Sequence, residues 1–342
     1  MGEYTGRIAS VTEPYHIQFD TRSYQVGDSD VLIKVRSSAI CGSDLHIYKG
    51  KHPAVSLPVT IGHEVSGDVV AVGDRVTEIS TGDRVTVEPA IVCGQCSECR
   101  QGRYGYCEHI TFTYRQGDGA MADFVCIPAR CIHKIPEALT YDEGALIEPL
   151  AVAVHAVRRA EVSLGQSVLV IGDGAIGIMT AAMCAQSGAG IVILAGHSEL
   201  RLNLSREFGV TNVINSLEED VLQTTRRLTG GLGVDKTFEC VGRKEALDQA
   251  VLALKSNGLA TIIGIYEQPV VELDVSNIVS HEIRIQGAQG YCWDFPVAIE
   301  AAQKLPLHKL ISRIYRLEEL QKAMDELLDK HKESIKIVVH PQ

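Results

Sequence analysis

Four of the chain's 10 cysteines, Cys93, Cys96, Cys99 and Cys107, fall within 15 residues, in VCGQCSECRQGRYGYCEH. Their spacing is C-x2-C-x2-C-x7-C. Thiolates two residues apart converge on one tetrahedral ion, and a fourth returns from a short loop. A ring of four sulfurs leaves no open coordination position, so a zinc held there is structural. Exposed free thiols oxidise readily, and a thioredoxin-type CxxC opens a helix after a strand. The Gly- and Gln-containing segment here fits neither.

A second donor set is scattered. Cys41 lies in AICGSDLHIYKG, His63 and Glu64 in PVTIGHEVSGDVVAVG, and Glu148 in GALIEPLAVAVHAV. A thiolate, an imidazole and carboxylates suit a zinc that keeps a position for water or substrate. Taken singly, each has an ordinary structural reading; the combination carries the inference. A third motif is local. In SVLVIGDGAIGIMTAAMCAQSGAGIVILAG, an apolar run leads into Gly172, Gly174 and Gly177, then a helical run, then a second apolar run. Strand, G-x-G-x-x-G, helix, strand is the context that gives this motif its meaning. The glycines permit a tight turn, close approach of a pyrophosphate and helix–strand packing, with Ala175 and Ile176 opening the helix toward the phosphates.

These residues need elements to position them. With 342 residues and 45% hydrophobic content, the chain suits two domains. Beyond the glycine motif, TNVIN, GVDKTFECVG and LATIIGIY read as strands. LEEDVLQTTRRLTG and KEALDQAVLALKSNG read as helices, the second closed by Gly258. Short strands are predicted at PVVELD and EIRIQGA, and the alternation predicts a parallel, doubly wound sheet. Residues 1–152 are instead strand-rich and punctuated by Gly and Pro. The tail from FPVAIEAAQKL to SIKIVVHP reads as helix, helix, strand and is expected to complete the first domain. The expected division is 1–152, with a cysteine lobe at 90–110, then 153–292, then 293–342.

The net charge of −11 opposes a broad phosphate-binding surface, so no nucleic-acid partner is expected. The apolar runs fall far short of the ~18 residues of a membrane span. The opening MGEYTGRIAS lacks a basic and then apolar leader pattern, so the expected compartment is the cytoplasm.

With CGSDLH, GHEVSGDVVAVG, GDRV, the four-cysteine lobe, IEPLAVAVHAVRRA and IGDGAIG, the chain resembles the zinc-dependent medium-chain alcohol dehydrogenases. Within them it is most similar to the polyol branch of sorbitol, 2,3-butanediol and threonine dehydrogenases. The resemblance implies an α/β protein, with a GroES-like β-rich catalytic domain, a Rossmann domain and a homodimer or homotetramer. It implies a hydride transfer between a secondary alcohol and a nicotinamide cofactor, with one catalytic and one structural zinc. Cys41 and His63 are the implied zinc ligands, and Glu64 and Glu148 complete the shell directly or through a water. Ser43 would accept the alcohol proton and His46 pass it outward; the alternatives are a helix cap and a surface residue.

One departure concerns the cofactor. In NAD-preferring relatives the second Rossmann strand ends in an acid that holds the ribose hydroxyls. Here Gly196 stands at that place, followed by His197, Ser198 and Arg201. The loss of a carboxylate and the gain of three donors favour NADP(H); the alternative is NAD(H) with Arg201 stacked on adenine. Another departure concerns substrate. Gly290 stands where sorbitol dehydrogenases carry an arginine, while Tyr291 is kept. Vicinal diols, small polyols and hydroxyketones are therefore expected as substrates, with Tyr48, Tyr291 and Trp293 as pocket walls or ordinary packing residues. The alternatives are a threonine 3-dehydrogenase-like or a sugar-acid or sugar-phosphate dehydrogenase, and more remotely a non-catalytic dinucleotide-binding protein.

Overall fold

The computed structural model describes residues 4–52, 54–329 and 333–341. The chain divides into two compact units: Met1–Glu148, Ala298–Gln303 and Leu307–Gln342, and Pro149–Val297 with Lys304–Pro306.

The first unit is built on strands that pair antiparallel, except for the parallel pair Ile311–Arg316 and Lys336–His340. Its larger sheet runs in the order Ile132–Lys134, Arg84–Val87, Glu64–Val72, Asp30–Ala39, Lys336–His340, Ile311–Arg316. Phe124–Pro128 also pairs with Asp30–Ala39. Val31, Ile33 and Val35 point to one face and pack with Val65, Val69, Val85, Val87 and Val125, all at most 2% exposed. Leu32, between Val31 and Ile33, is fully buried as well, so this stretch of the strand is covered on both faces. The C-terminal strand pairs antiparallel with Asp30–Ala39, Val338 opposite Ala39, and Ala39 in turn lies opposite Glu64. The end of the chain is thereby held two strands from Glu64.

The second unit holds six parallel strands in the order Asn212–Asn215, Ile191–Gly196, Ser167–Ile171, Val234–Glu239, Leu254–Ile262, Arg284–Gly287. This is the doubly wound, Rossmann-type order, which reverses beside Ser167–Ile171. Val168, Leu169, Val170, Val192, Ile193 and Leu194 are fully buried. Burial on both faces explains why these strands read as continuous apolar runs.

Three sequence expectations differ from the structure. The helix expected to run to Gly258 ends at Leu252, because the Val234 amide takes the Ala253 carbonyl and Leu254–Ile262 joins the sheet. PVVELD forms no strand; Val270 is 87% exposed and no ladder partner meets it among the described residues. The tail contains an additional strand, Ile311–Arg316, between its helices. Among the described residues, no helix is long and apolar enough to cross a membrane.

Candidate active site and cofactor cradle

Cys41 precedes the helix Gly42–Tyr48, and His63 and Glu64 lead into the strand Glu64–Val72. Their donor atoms all lie within 4.8 Å of one another. His63 is 7% exposed and Glu64 is fully buried, while Cys41 is half-buried. Glu148 stands outside this group of three. It is buried in the first turn of the helix Ile147–Arg159. Ser43 and His46 sit one turn apart on the helix that Cys41 opens, both partly accessible.

Two further residues complete the site. Asp44, fully buried, accepts the Cys41 amide at 2.9 Å and the Gly62 amide at 3.2 Å, and its Oδ1 faces His63 Nδ1 at 3.6 Å. Burial alone would raise its carboxyl, but His63 and the two amides outweigh it and hold the pKa below the usual range. Lys336, 5% exposed, donates to both oxygens of Glu64 and to the Ile40 carbonyl at 3.2 Å. Burial opposes its charge; Glu64, Cys41 and Glu148 prevail and hold the ammonium above its ordinary value. Sequence reasoning passed over both. Asp44 had a local signal, an acid three residues after Cys41 in a helix's first turn. Lys336 had only a lone cation heading an apolar strand.

The donor chemistry fits a divalent cation. A thiol, a carboxylate and an imidazole converge in a largely buried pocket, a mixed sulfur, oxygen and nitrogen set of the kind that holds zinc.

The cysteine lobe is assembled separately. The short strands Ala90–Ile91 and Thr111–Phe112 pair at its base, and Ser97–Arg100 and Tyr104–Tyr106 make two single turns within it. The sulfurs of Cys93, Cys96, Cys99 and Cys107 all lie within 4.8 Å of one another, and none is in a disulfide. Backbone amides aim at them: Cys96 N at Cys93 Sγ, and Cys93 N and His109 N at Cys107 Sγ, each at 3.4 Å. Amides of Cys99 and Glu108 pull the Cys96 thiol down to about 6, while burial and the neighbouring thiols push that of Cys99 up to about 12. Donors aimed at sulfur favour thiolate, the form that binds metal.

In the second unit, Gly172 has φ +114°, closed to most side chains, and a Cβ at Gly177 would collide with the Gly172 carbonyl. A Cβ at Gly174 would meet nothing within 4 Å, so the loop leaves open space in front of the helix Ala175–Gln186. Those features form the cradle a pyrophosphate needs. Gly196 ends the neighbouring strand; His197 is exposed, Ser198 buried, and Arg201 intermediate.

The residues considered as pocket walls divide. Tyr48 is fully buried and hydrogen-bonds Asp325 Oδ1 at 2.7 Å, so it is a core residue. Tyr291 is 3% exposed and packs edge-on against Phe295 at 5.0 Å. Trp293 is 61% exposed.

Comparison with known proteins agrees with this geometry. Residues 27–137 match the alcohol dehydrogenase GroES-like domain, and residues 175–304 match the zinc-binding dehydrogenase domain. A sorbitol dehydrogenase of Bacillus subtilis (strain 168) is 35% identical over 322 residues, 92% of this chain and 91% of that protein. A zinc-binding dehydrogenase of Sinorhizobium meliloti 1021, solved bound to NADP, superposes with a TM-score of 0.93 at 29% identity, covering 99% of this chain and 100% of that one. The 2R,3R-butanediol dehydrogenase of Bacillus subtilis gives 0.90 at 30% identity, covering 98% and 100%. The chain belongs to the zinc-binding, medium-chain alcohol dehydrogenases, enzymes that combine a GroES-like domain with a Rossmann-type sheet.

Proposed function

We propose that the chain is a zinc- and NADP(H)-dependent dehydrogenase of vicinal diols, small polyols and α-hydroxyketones. The observation that carries this is the convergence of Cys41, His63 and Glu64 within 4.8 Å, in a chain that also builds the glycine cradle. Zinc at the Cys41–His63 site supplies Lewis acidity that makes an alcohol acidic near neutral pH, and the nicotinamide supplies the hydride acceptor.

The chain's own groups do the rest. Cys41 and His63 hold the ion, and Glu64, steadied by Lys336, completes its shell directly or through a water. Glu148 offers a carboxylate to a second substrate oxygen, which a simple alcohol lacks. Ser43 accepts the alcohol proton, and His46, one turn along the same helix, carries it outward. The four-cysteine lobe holds a second, structural zinc. His197, Ser198 and Arg201 beside Gly196 support NADP(H), the cofactor in the Sinorhizobium structure. The resemblance to sorbitol and butanediol dehydrogenases supports the substrate class, and with it a cytoplasmic homodimer or homotetramer, which sedimentation measures.

A phosphorylated polyol is the second reading. The exposed Arg115 stacks its guanidinium 6.0 Å from the Tyr114 ring, which lies 5.3 Å from that of His63. The deciding measurement is kcat/KM for 2,3-butanediol, small sugar alcohols and a polyol phosphate against 2-butanol and ethanol, each with both cofactors. A site built for a neighbouring oxygen rejects analogues that lack it. Ethanol as the best substrate, or activity confined to L-threonine, would overturn the assignment.

A further inference from the structure

One buried side chain ties the glycine loop to the end of the next strand. Asp173, between Gly172 and Gly174, is 3% exposed. Its Oδ2 accepts the amides of His197 at 2.9 Å and Ser198 at 2.7 Å. Its Oδ1 faces His197 Nδ1 at 3.8 Å and Arg201 Nη1 at 3.9 Å. The Ser198 hydroxyl accepts the Arg201 amide at 3.4 Å, so the orientation of all three phosphate-reading candidates traces back to this carboxylate.

Asp173 also accounts for the glycine at 196. The backbone there does not adopt the left-handed conformation that demands glycine. Space is the constraint. A first side-chain carbon on Gly196 would lie 2.5 Å from Asp173 Cγ and from its Oδ2, against the roughly 3.5 Å that non-bonded carbons require. The Asp173 side chain has taken the volume that a strand-end acid would fill. It does so without offering a ribose-reading carboxylate, being nearly inaccessible, with Oδ2 already serving two amides. Those amides and the nearby guanidinium offset its buried charge.

We propose that Asp173 is a specificity-determining residue of the cofactor site: it excludes any side chain at position 196 and holds His197, Ser198 and Arg201 in place to receive a 2′-phosphate. This rests on the NADP(H) reading above. It predicts that residues 173 and 196 are coupled, so that a carboxylate can stand at one of them only.

The test is equilibrium binding of NADPH and NADH, followed by nicotinamide fluorescence without substrate, alongside thermal melting. The proteins are wild type, Asp173→Asn, Asp173→Ala, Gly196→Asp and the double variant Asp173→Gly/Gly196→Asp. Asn keeps the acceptor and the shape, so its NADPH-over-NADH ratio should stay within about threefold of wild type. Ala removes both, and the ratio should fall by about tenfold or more. Gly196→Asp should weaken both cofactors, and the double variant should recover NADH and prefer it. A ratio unmoved by Asp173→Ala overturns the role of Asp173 and leaves the phosphate reading standing. Loss of NADH rather than NADPH in both Asp173 single variants overturns it too, by making Asp173 the ribose reader. Wild-type protein that prefers NADH overturns the phosphate reading itself. If Asp173→Ala does not fold, the double variant decides: preference for NADH supports the proposal, and retained NADPH preference overturns it.

Discussion

Lys336 Nζ donates to both carboxylate oxygens of Glu64, 2.5 Å from Oε2, across 272 positions of sequence. Both residues are almost wholly buried. The contact exists because the C-terminal strand returns to pair with Asp30–Ala39, the strand that also pairs with Glu64–Val72. The edge of the first unit that carries Glu64 is thus finished by the strand Lys336–His340.

Removing one partner of such a pair leaves a buried charge uncompensated. Lys336→Met should therefore destabilise the metal-free protein by about 3–5 kcal/mol. Zinc at the Cys41–His63 site supplies positive charge next to the same carboxylate, so the deficit should shrink in the loaded protein. Denaturant unfolding with and without a chelator measures both values. Equal deficits in the two states would separate the role of Lys336 from the metal.

The two proposed zinc sites should respond differently to mutation. Cys93→Ser breaks a ring of four sulfurs whose loop has only short strands and single turns to hold it. It should lower zinc content from about two to about one per chain and impair folding. Cys41→Ser should also lower zinc content, yet leave the fold intact and abolish turnover. Elemental analysis, circular dichroism and a dehydrogenase assay distinguish the patterns. Wild-type turnover in Cys41→Ser would refute the catalytic assignment.

A pH-dependent contact lies elsewhere in the first unit. His340 Nε2 and Asp142 Oδ1 are 2.6 Å apart, and both side chains are partly exposed. The hydrogen bond to Asp142 raises the pKa of His340 above 6.5, with burial opposing. For Asp142, burial acts upward, but the hydrogen bond and charge of His340 outweigh it and lower the pKa below 3.8. A raised histidine stabilises fully below its unfolded pKa and loses that contribution as pH rises through the folded value. A depressed carboxylate stabilises above its unfolded pKa and loses that contribution on acidification. The pair thus contributes most between about pH 4 and 6.5. His340→Gln should lower the denaturation midpoint more at about pH 6 than at about pH 8.5. A variant deficit independent of pH would show that the contact is not an ion pair.

What could be read from sequence was what is local. The four cysteines declare themselves because their spacing is the coordination pattern, and Gly172, Gly174 and Gly177 because one loop holds them all. Lys336 and Glu64 meet only through the order of three strands, which no local pattern carries. Asp173 sat inside the glycine motif at a position the motif leaves free, and its meaning depends on where Gly196 lies. The helix misread past Leu252 shows the same limit: ALKSNG keeps helical composition, yet the Val234 amide claims the Ala253 carbonyl for the sheet. PVVELD likewise reads as a short strand, although a strand needs a partner and none meets it among the described residues.

Asp44 gives a last test of the site. It takes the Cys41 and Gly62 amides and faces His63, so one carboxylate fixes the backbone carrying Cys41 and the segment that leads to His63. A ligating histidine is oriented by the acceptor at its other nitrogen, and losing such an acceptor costs about 10–100-fold in metal affinity. Asp44→Asn retains an acceptor for one amide but loses the charge, and Asp44→Ala loses both. Zinc retention against a competing chelator should therefore fall in the order wild type, Asn, Ala, while the four-cysteine zinc stays bound in all three. Folding should suffer most in Ala, because two buried amides are left without an acceptor. Zinc affinity at the Cys41–His63 site that is unchanged in Asp44→Asn would mean that Asp44 serves the helix cap alone.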